Sequence, residues 1–315
     1  MDPRVKPSLI RLSEDARDYH LTPRVPEIDH ITCTEFLRQY VGPNQPVLIK
    51  HAIDHWPARN RWTSDYLKSQ MQDRAIGVAL TPDGYADAPK DGLFVMPHEQ
   101  DMIMADFLDA LDHPQDGIIH YIQRQNSNLT REFEPLRQDV LELDWASAAF
   151  ESDPDAINFW MGDERAVTST HKDPYDNIYC VVQGHKDIIL HPPCDLPWMD
   201  YRLYQPAIHV KTRSGFTVQS LTHTPPIPWI AVDPLDLRTQ SEDYRQLAHP
   251  MHVRVEAGDA LYLPSLWFHH LRQSHGCMAV NFWYDMKFDA KFTYFNLLQN
   301  LCFPDVFQLE SDTST

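Results

Sequence analysis

From residue 156 onward the chain runs in short apolar or alternating segments separated by turns. They span residues 156–161, 166–171, 177–182, 187–191, 251–255, 260–263, 268–273 and 277–285. Segments this short suit strands, and their close succession favours a sandwich or barrel over a parallel sheet with intervening helices. One long interruption, residues 195–250, is Pro-rich and includes Thr224-Pro225-Pro226-Ile227-Pro228-Trp229. An insertion of that length usually covers something or carries function. Within the strand series, Ile157-Asn158-Phe159-Trp160 is echoed by Val280-Asn281-Phe282-Trp283. Either two β-rich segments coincide, or two strands of one barrel meet across its wall.

The preceding segments are mixed. Residues 1–30 are rich in Pro and charge and read as an arm lying on the surface. Residues 31–155 read as an α/β extension. Thr34 to Tyr40 suits a helix, broken by Gly42-Pro43-Asn44-Gln45-Pro46. Residues 46–50, 76–80 and 118–122 suit strands. Thr63 or Ser64 is placed to cap a helix running to Met71, and Met104 to Leu111 has an amphipathic helical pattern. The domain proper spans 156–285 with its insertion. Residues 286–315 carry a helical pattern, Phe292, Phe295, Leu298 and Leu301, and then a polar tail.

Composition sets limits. Hydrophobic residues make up 43% of the 315, with 8 Trp, 13 Tyr and 14 Phe, ample for a packed core. The formal net charge of -18 argues against nucleic-acid binding through a basic patch. It suits a basic protein or peptide partner, and solubility explains it equally well. The N-terminal residues lack the apolar core of a signal peptide. No run of about 18 apolar residues appears, so no membrane span is expected. The five cysteines, Cys33, Cys180, Cys194, Cys277 and Cys302, are scattered and include no C-x-x-C pair. That argues against a zinc ribbon and for a reducing compartment, cytosol or nucleus.

The chemistry concentrates in two motifs. In an extended strand, side chains two apart share a face, so His171 and Asp173 can grip one metal ion. Alone, such a tripeptide usually means a solvated strand end. Roughly a hundred residues later comes Trp267-Phe268-His269-His270. Neighbours on a strand face opposite ways, so only one of these histidines can join the same ion. Two His and one carboxylate leave open coordination positions, the arrangement of non-haem Fe(II) oxygenases. Such enzymes commonly take 2-oxoglutarate, whose distal carboxylate needs a cation and hydroxyl donors. Lys186 alternates with Ile188 and Leu190, so it must meet a buried anion or snorkel to water.

Taken together, several segments resemble the JmjC-domain oxygenases. They are Thr168-Ser169-Thr170-His171-Lys172-Asp173, Asn177, Gly184-His185-Lys186, His191-Pro192-Pro193, Pro264 to His270, and Asn281-Phe282-Trp283-Tyr284. The nearest group is the small JmjC hydroxylases. Residues 78–88, 121–129 and 279–286 resemble its lysyl-hydroxylase type, and the likeness runs from about residue 30 to 300. The resemblance implies a double-stranded β-helix (a jelly-roll, cupin-like JmjC fold) of eight strands in two sheets with flanking helices. It implies Fe(II) held by His171, Asp173 and His269, with 2-oxoglutarate and O2 as co-substrates. Lys186 would pair with the distal carboxylate, helped by the hydroxyls of Tyr121 and Thr168. Asn177, Asn281 and Trp283 would line the same pocket.

The implied reaction is hydroxylation of a protein lysine at C3 in a translation-associated GTPase. A histone-tail demethylase, a peptidase and a non-catalytic β-barrel binding module are the alternatives. No H-E-x-x-H signature or nucleophile elbow supports a hydrolase. Related members dimerise through C-terminal helices, a role open to Phe292, Phe295, Leu298 and Leu301, although core packing explains these residues equally well. Asp83, Tyr85, Asp87 and the 195–250 insertion are candidates for a substrate groove, where acidity would suit lysine. A turn held by Pro82, Asp83 and Gly84 explains the same stretch.

Overall fold

All the segments read as strands between residues 156 and 285 form strands, and they divide between two sheets. The computed structural model describes residues 3–307. In the larger sheet, Ala260–Leu263, Tyr175–Gln183, Cys277–Asp285 and Ala156–Gly162 lie side by side in that order. In the smaller, the order is Met251–Glu256, His185–His191, Phe268–Gln273 and Val167–Lys172. These neighbours pair antiparallel. The chain passes from one sheet to the other at nearly every turn, which winds it into the expected double-stranded β-helix.

The larger sheet is buried on both faces, which explains why its strands are nearly continuous apolar runs. In Cys277–Asp285, Met278, Val280, Phe282 and Tyr284 join a core beneath the N-terminal helices. Cys277 and Ala279 pack on the barrel side. The covering helices include Cys33–Phe36, Ser64–Met71, Met104–Asp112 and Asp144–Phe150. Thr63 caps the second of these by accepting from the Tyr66 amide at 3.2 Å. Strands of the N-terminal extension widen the same sheet to nine strands: Ile119–Ile122, Ala75–Thr81 and His98–Ile103 on one side, Val47–Ile49 and Glu27–Ile28 on the other.

The repeated Asn-Phe-Trp segments are adjacent antiparallel strands of one wall, with Asn158 directly opposite Asn281. The Asn158 amide donates to Asn281 Oδ1 at 3.2 Å.

Two stretches differ from expectation. The N-terminal arm contains a helix, Lys6–Tyr19, that buries Leu9, Ser13 and Ala16. Pro7 sits in its first turn, where a missing N–H costs nothing. The 195–250 insertion carries strands Tyr201–Thr212, Gly215–Ser220 and Ile227–Ile230 and a helix, Glu242–Leu247. Its first strand pairs with Leu93–Met96, which pairs with Ala88–Lys90, so two parts distant in sequence build a third sheet. Interrupted by Pro89, Pro206 and Pro228, these strands give little period-two signal. In the C-terminal helix, Ala290–Cys302, Phe295 is buried and Phe292 and Leu298 pack on the same core, while Leu301 is 45% exposed. The polar tail lies outside the described residues.

Candidate active site

His171 and His269 are directly opposed on paired strands of the smaller sheet, after a register shift between Thr168 and His171. Each imidazole is oriented by its own strand. His171 Nδ1 lies 2.8 Å from the Ser169 carbonyl and His269 Nδ1 3.0 Å from the Trp267 carbonyl. A carbonyl only accepts, so both Nδ1 atoms carry a proton and the Nε2 atoms are the ones left to face a metal. Asp173 completes the group, with its carboxylate oxygens 3.8 Å from His171 Nε2 and 3.5 Å from His269 Nε2. The ligand atoms lie within 4.8 Å of one another. The Leu266 amide donates to the Asp173 carbonyl at 3.1 Å, tying the turn before His269 to the carboxylate's own backbone. Leu266 holds a left-handed φ of 69° there, a conformation a leucine rarely adopts.

Burial and the neighbouring His269 push the His171 imidazole down to about 4, so it is neutral and free to bind a metal. Burial pushes the Asp173 carboxyl up, but His171, His269 and Lys172 outweigh it and hold the group below its ordinary value. Its open side is decided by exposure: His269 keeps 5%, whereas His171 and Asp173 keep 16% and 17%. His270 points the other way, beneath the insertion near Asp233 and Arg272, and burial pushes it down to about 4. Strand alternation thus resolves the histidine pair in favour of His269.

Behind the triad a narrow cavity runs into the barrel. Tyr121, Thr168, Asn177, Asn281 and Trp283 all line it, together with Tyr179 and Trp160. Lys186 lies against two of these lining residues, Tyr121 and Tyr179. This side chain is 1% exposed, and its Nζ donates to Tyr121 Oη at 3.0 Å and to Gln273 Oε1. The ammonium also faces the Tyr121 and Tyr179 rings at 5.2 and 5.7 Å. Among the described residues no carboxylate pairs with it. A buried cation with only neutral partners is an unfavourable state that an incoming carboxylate relieves.

Asn281 is held on every side. Its Oδ1 accepts from Asn158 and from Trp160 Nε1 at 2.9 Å, and its amide donates to Asn177 Oδ1 at 3.2 Å. Trp283 stacks on Tyr175 at 4.8 Å and keeps a buried, unpartnered Nε1–H. A two-His-one-carboxylate donor set, an unpaired buried ammonium and a spare N–H fit Fe(II) with a chelating dicarboxylate.

Gln273, Tyr179 and Trp160 escaped the sequence reading. Gln273 had a faint signal, a polar residue ending a barrel strand, and it stands directly opposite Lys186 in register. Its amide donates to the Asp163 carbonyl at 3.0 Å.

In front of the triad lies a groove of about 600 Å³. Phe94, Trp160, Ile208 and Trp229 supply apolar walls, and Asp87 and Glu99 supply carboxylates. Asp83 and Tyr85 lie apart from it, the first paired with Lys90 and the second donating to Asp233 at 2.8 Å. The insertion therefore reaches the site through Ile208 and Trp229. The Trp229 ring is parallel to His171 within 12° at 6.2 Å, and its Nε1–H donates to Ser169 Oγ at 3.2 Å.

Comparison with known proteins agrees with this geometry. Residues 33–290 match the family described as a cupin-like domain. The chain is 44% identical to the human bifunctional peptidase and (3S)-lysyl hydroxylase JMJD7, over 94% of this chain and 95% of that one. It is 34% identical to JmjC domain-containing protein E of Dictyostelium discoideum, over 92% of each. It is 36% identical to lysine-specific demethylase JMJ32 of Arabidopsis thaliana, over 85% of this chain and 84% of that one. The chain belongs to the cupin-like JmjC family of hydroxylases and demethylases.

Proposed function

We propose that this protein is an Fe(II)- and 2-oxoglutarate-dependent hydroxylase of a protein lysine, acting at C3 in a translation-associated GTPase. The observation that carries the oxygenase reading is a narrow cavity lined by His171, Asp173 and His269 and by Tyr121, the residue that also holds the buried, anion-free Lys186. The lysine assignment draws on the human relative's activity and on the carboxylates of the groove.

When bound, Fe(II) with 2-oxoglutarate and O2 supplies the oxidising power to hydroxylate an unactivated C–H bond. The chain's residues do the positioning. His171, Asp173 and His269 would hold the metal through one face. Lys186, Tyr121 and Thr168 would fix the distal carboxylate, and the Asn158-Asn281-Asn177 chain keeps the adjoining wall rigid. The apolar walls of the groove would orient the substrate carbon. A homodimer through the C-terminal helix rests on its outward Tyr294, Leu297 and Leu301, which are 70%, 55% and 45% exposed. Five unpaired thiols fit a reducing compartment, cytosol or nucleus.

The test is mass spectrometry of candidate GTPases incubated with the protein, Fe(II), 2-oxoglutarate and O2, alongside a succinate-release assay. One added oxygen on a lysine, lost with Asp173→Ala, is the expected result. Loss of a methyl group from a methylated lysine would favour demethylation, as in the Arabidopsis relative's name. Cleaved peptide without succinate would favour a peptidase. No metal binding by the intact protein would overturn the oxygenase reading.

A further inference from the structure

We propose that Asp87 selects the substrate by its ammonium group, acting as the counter-ion for a lysine side chain laid along the groove in front of the triad. The proposal rests on the lysine-hydroxylase reading and names the residue that enforces it. Asp87 follows the short strand Tyr85–Ala86, which pairs with Val167–Lys172, so it is carried beside the His171 strand. Its backbone is fixed there: the Ser169 hydroxyl donates to the Asp87 carbonyl at 2.7 Å. Its φ of 54° lies in the left-handed region, which Asp and Asn tolerate better than most residues.

The carboxylate has one side-chain partner, the Gln123 amide, which donates to Oδ2 at 3.1 Å. Among the described residues no cation pairs with it, although two basic residues line the same groove. Arg124 is occupied by Glu99 at 3.0 Å, Asp101 at 3.3 Å and Glu132 at 3.6 Å. Lys172 lies over the Phe295 ring at 5.0 Å. Burial and the nearby Glu99 charge push the Asp87 carboxyl up to about 6. A half-buried carboxylate beside a like charge gains from an incoming cation. The groove walls specify the rest of the ligand. Phe94 and Trp229 meet at 4.6 Å between ring centroids, a surface for a methylene chain. An ammonium at Asp87 leaves those methylenes beside the exposed edges of His171 and Asp173.

The experiment uses the full-length protein with Fe(II), 2-oxoglutarate and O2. The probes are peptide libraries with randomised flanks and a fixed central lysine, norleucine or arginine, read by mass spectrometry for one added oxygen. The wild type should modify the lysine library above the other two. Asp87→Asn should lower kcat/KM on lysine by roughly 10- to 100-fold, the worth of a hydrogen bond to a charged group. It should also collapse the lysine-to-norleucine ratio. Asp87→Gly, which relaxes the left-handed φ, should show the same collapse. Titration of 2-oxoglutarate into the Mn(II)-loaded variants by calorimetry establishes that the closed end of the site is intact. Retained lysine selectivity in both variants overturns the role of Asp87 alone. A wild type that modifies no lysine library overturns the hydroxylase reading and this assignment with it.

Discussion

The two ends of the reaction chamber are built on opposite charges and by different means. At the closed end Lys186 is a buried cation whose partners, Tyr121 and Gln273, are neutral. At the mouth Asp87 is an anion whose side-chain partner, Gln123, is neutral. Lys186 departs from the rule that buried charges are paired, and the half-buried Asp87 has no cation partner among the described residues; both are complementary to a ligand. The closed end is made by strand register, with Lys186 opposite Gln273 in the jelly roll itself. The mouth is assembled from added pieces: the segment around Asp87, and Ile208 and Trp229 of the insertion. The contrast teaches that chemistry is carried by the shared barrel and selectivity by what is attached to it.

Removing the cation should be the most damaging change. Lys186→Met keeps the length and apolar stem and deletes only the charge. Breaking a buried charge pair costs about 3–5 kcal/mol, so 2-oxoglutarate affinity should fall by roughly 100- to 4000-fold. Calorimetry on the Mn(II)-loaded protein reads it, with metal affinity retained. Without co-substrate the variant should melt at a higher temperature than the wild type, because an unpaired ammonium has gone. Unchanged affinity would mean that the closed end is not the anion site.

At the mouth the sign reverses with pH. The Asp87 carboxyl is raised to about 6 by burial and Glu99, against an ordinary value of 3.8. Its folded pKa exceeds its unfolded one, so folding takes up a proton between about pH 4 and pH 6. Stability is lost as pH rises through that window, because the ionised form is the one the fold disfavours. Asp87→Asn removes the penalty. After allowance for the solvent that reaches the groove, it should stabilise the protein by about 1–2 kcal/mol at neutral pH. The gain should vanish near pH 4. Calorimetric melts of both proteins across this range check it, and a pH-independent difference would sink the charge explanation.

The same division marks what the sequence disclosed. The barrel strands were legible because two-sided burial leaves long apolar runs, and His171, Asp173 and Lys186 were legible because period two assigns faces. The choice of His269 over His270 needed the family resemblance until the structure supplied opposed strands. Tyr179 and Trp160 were not legible and Gln273 only faintly so, because what each meets is set by register with distant strands. The third sheet was hidden because its strands Leu93–Met96 and Tyr201–Thr212 pair across more than a hundred residues of sequence, Gln205 with Leu93. The helix in the N-terminal arm was masked by Pro7, which its first turn accommodates.

Gln273 gives the finest division between the two ends. Its carbonyl oxygen accepts from Lys186, and its amide is anchored on the Asp163 carbonyl. That second bond makes it a fixed strut for the ammonium, not a mobile stand-in for the ligand. Gln273→Met should therefore leave Lys186 charged but less well aimed, held by Tyr121 alone. Loss of one such hydrogen bond is worth about 1 kcal/mol, so 2-oxoglutarate affinity should weaken roughly 5-fold while lysine selectivity at the mouth is unaffected. Tighter binding in the same titration would show instead that Gln273 competes with the co-substrate for Lys186. The closed end would then be, like the mouth, a charge held in waiting by a displaceable amide.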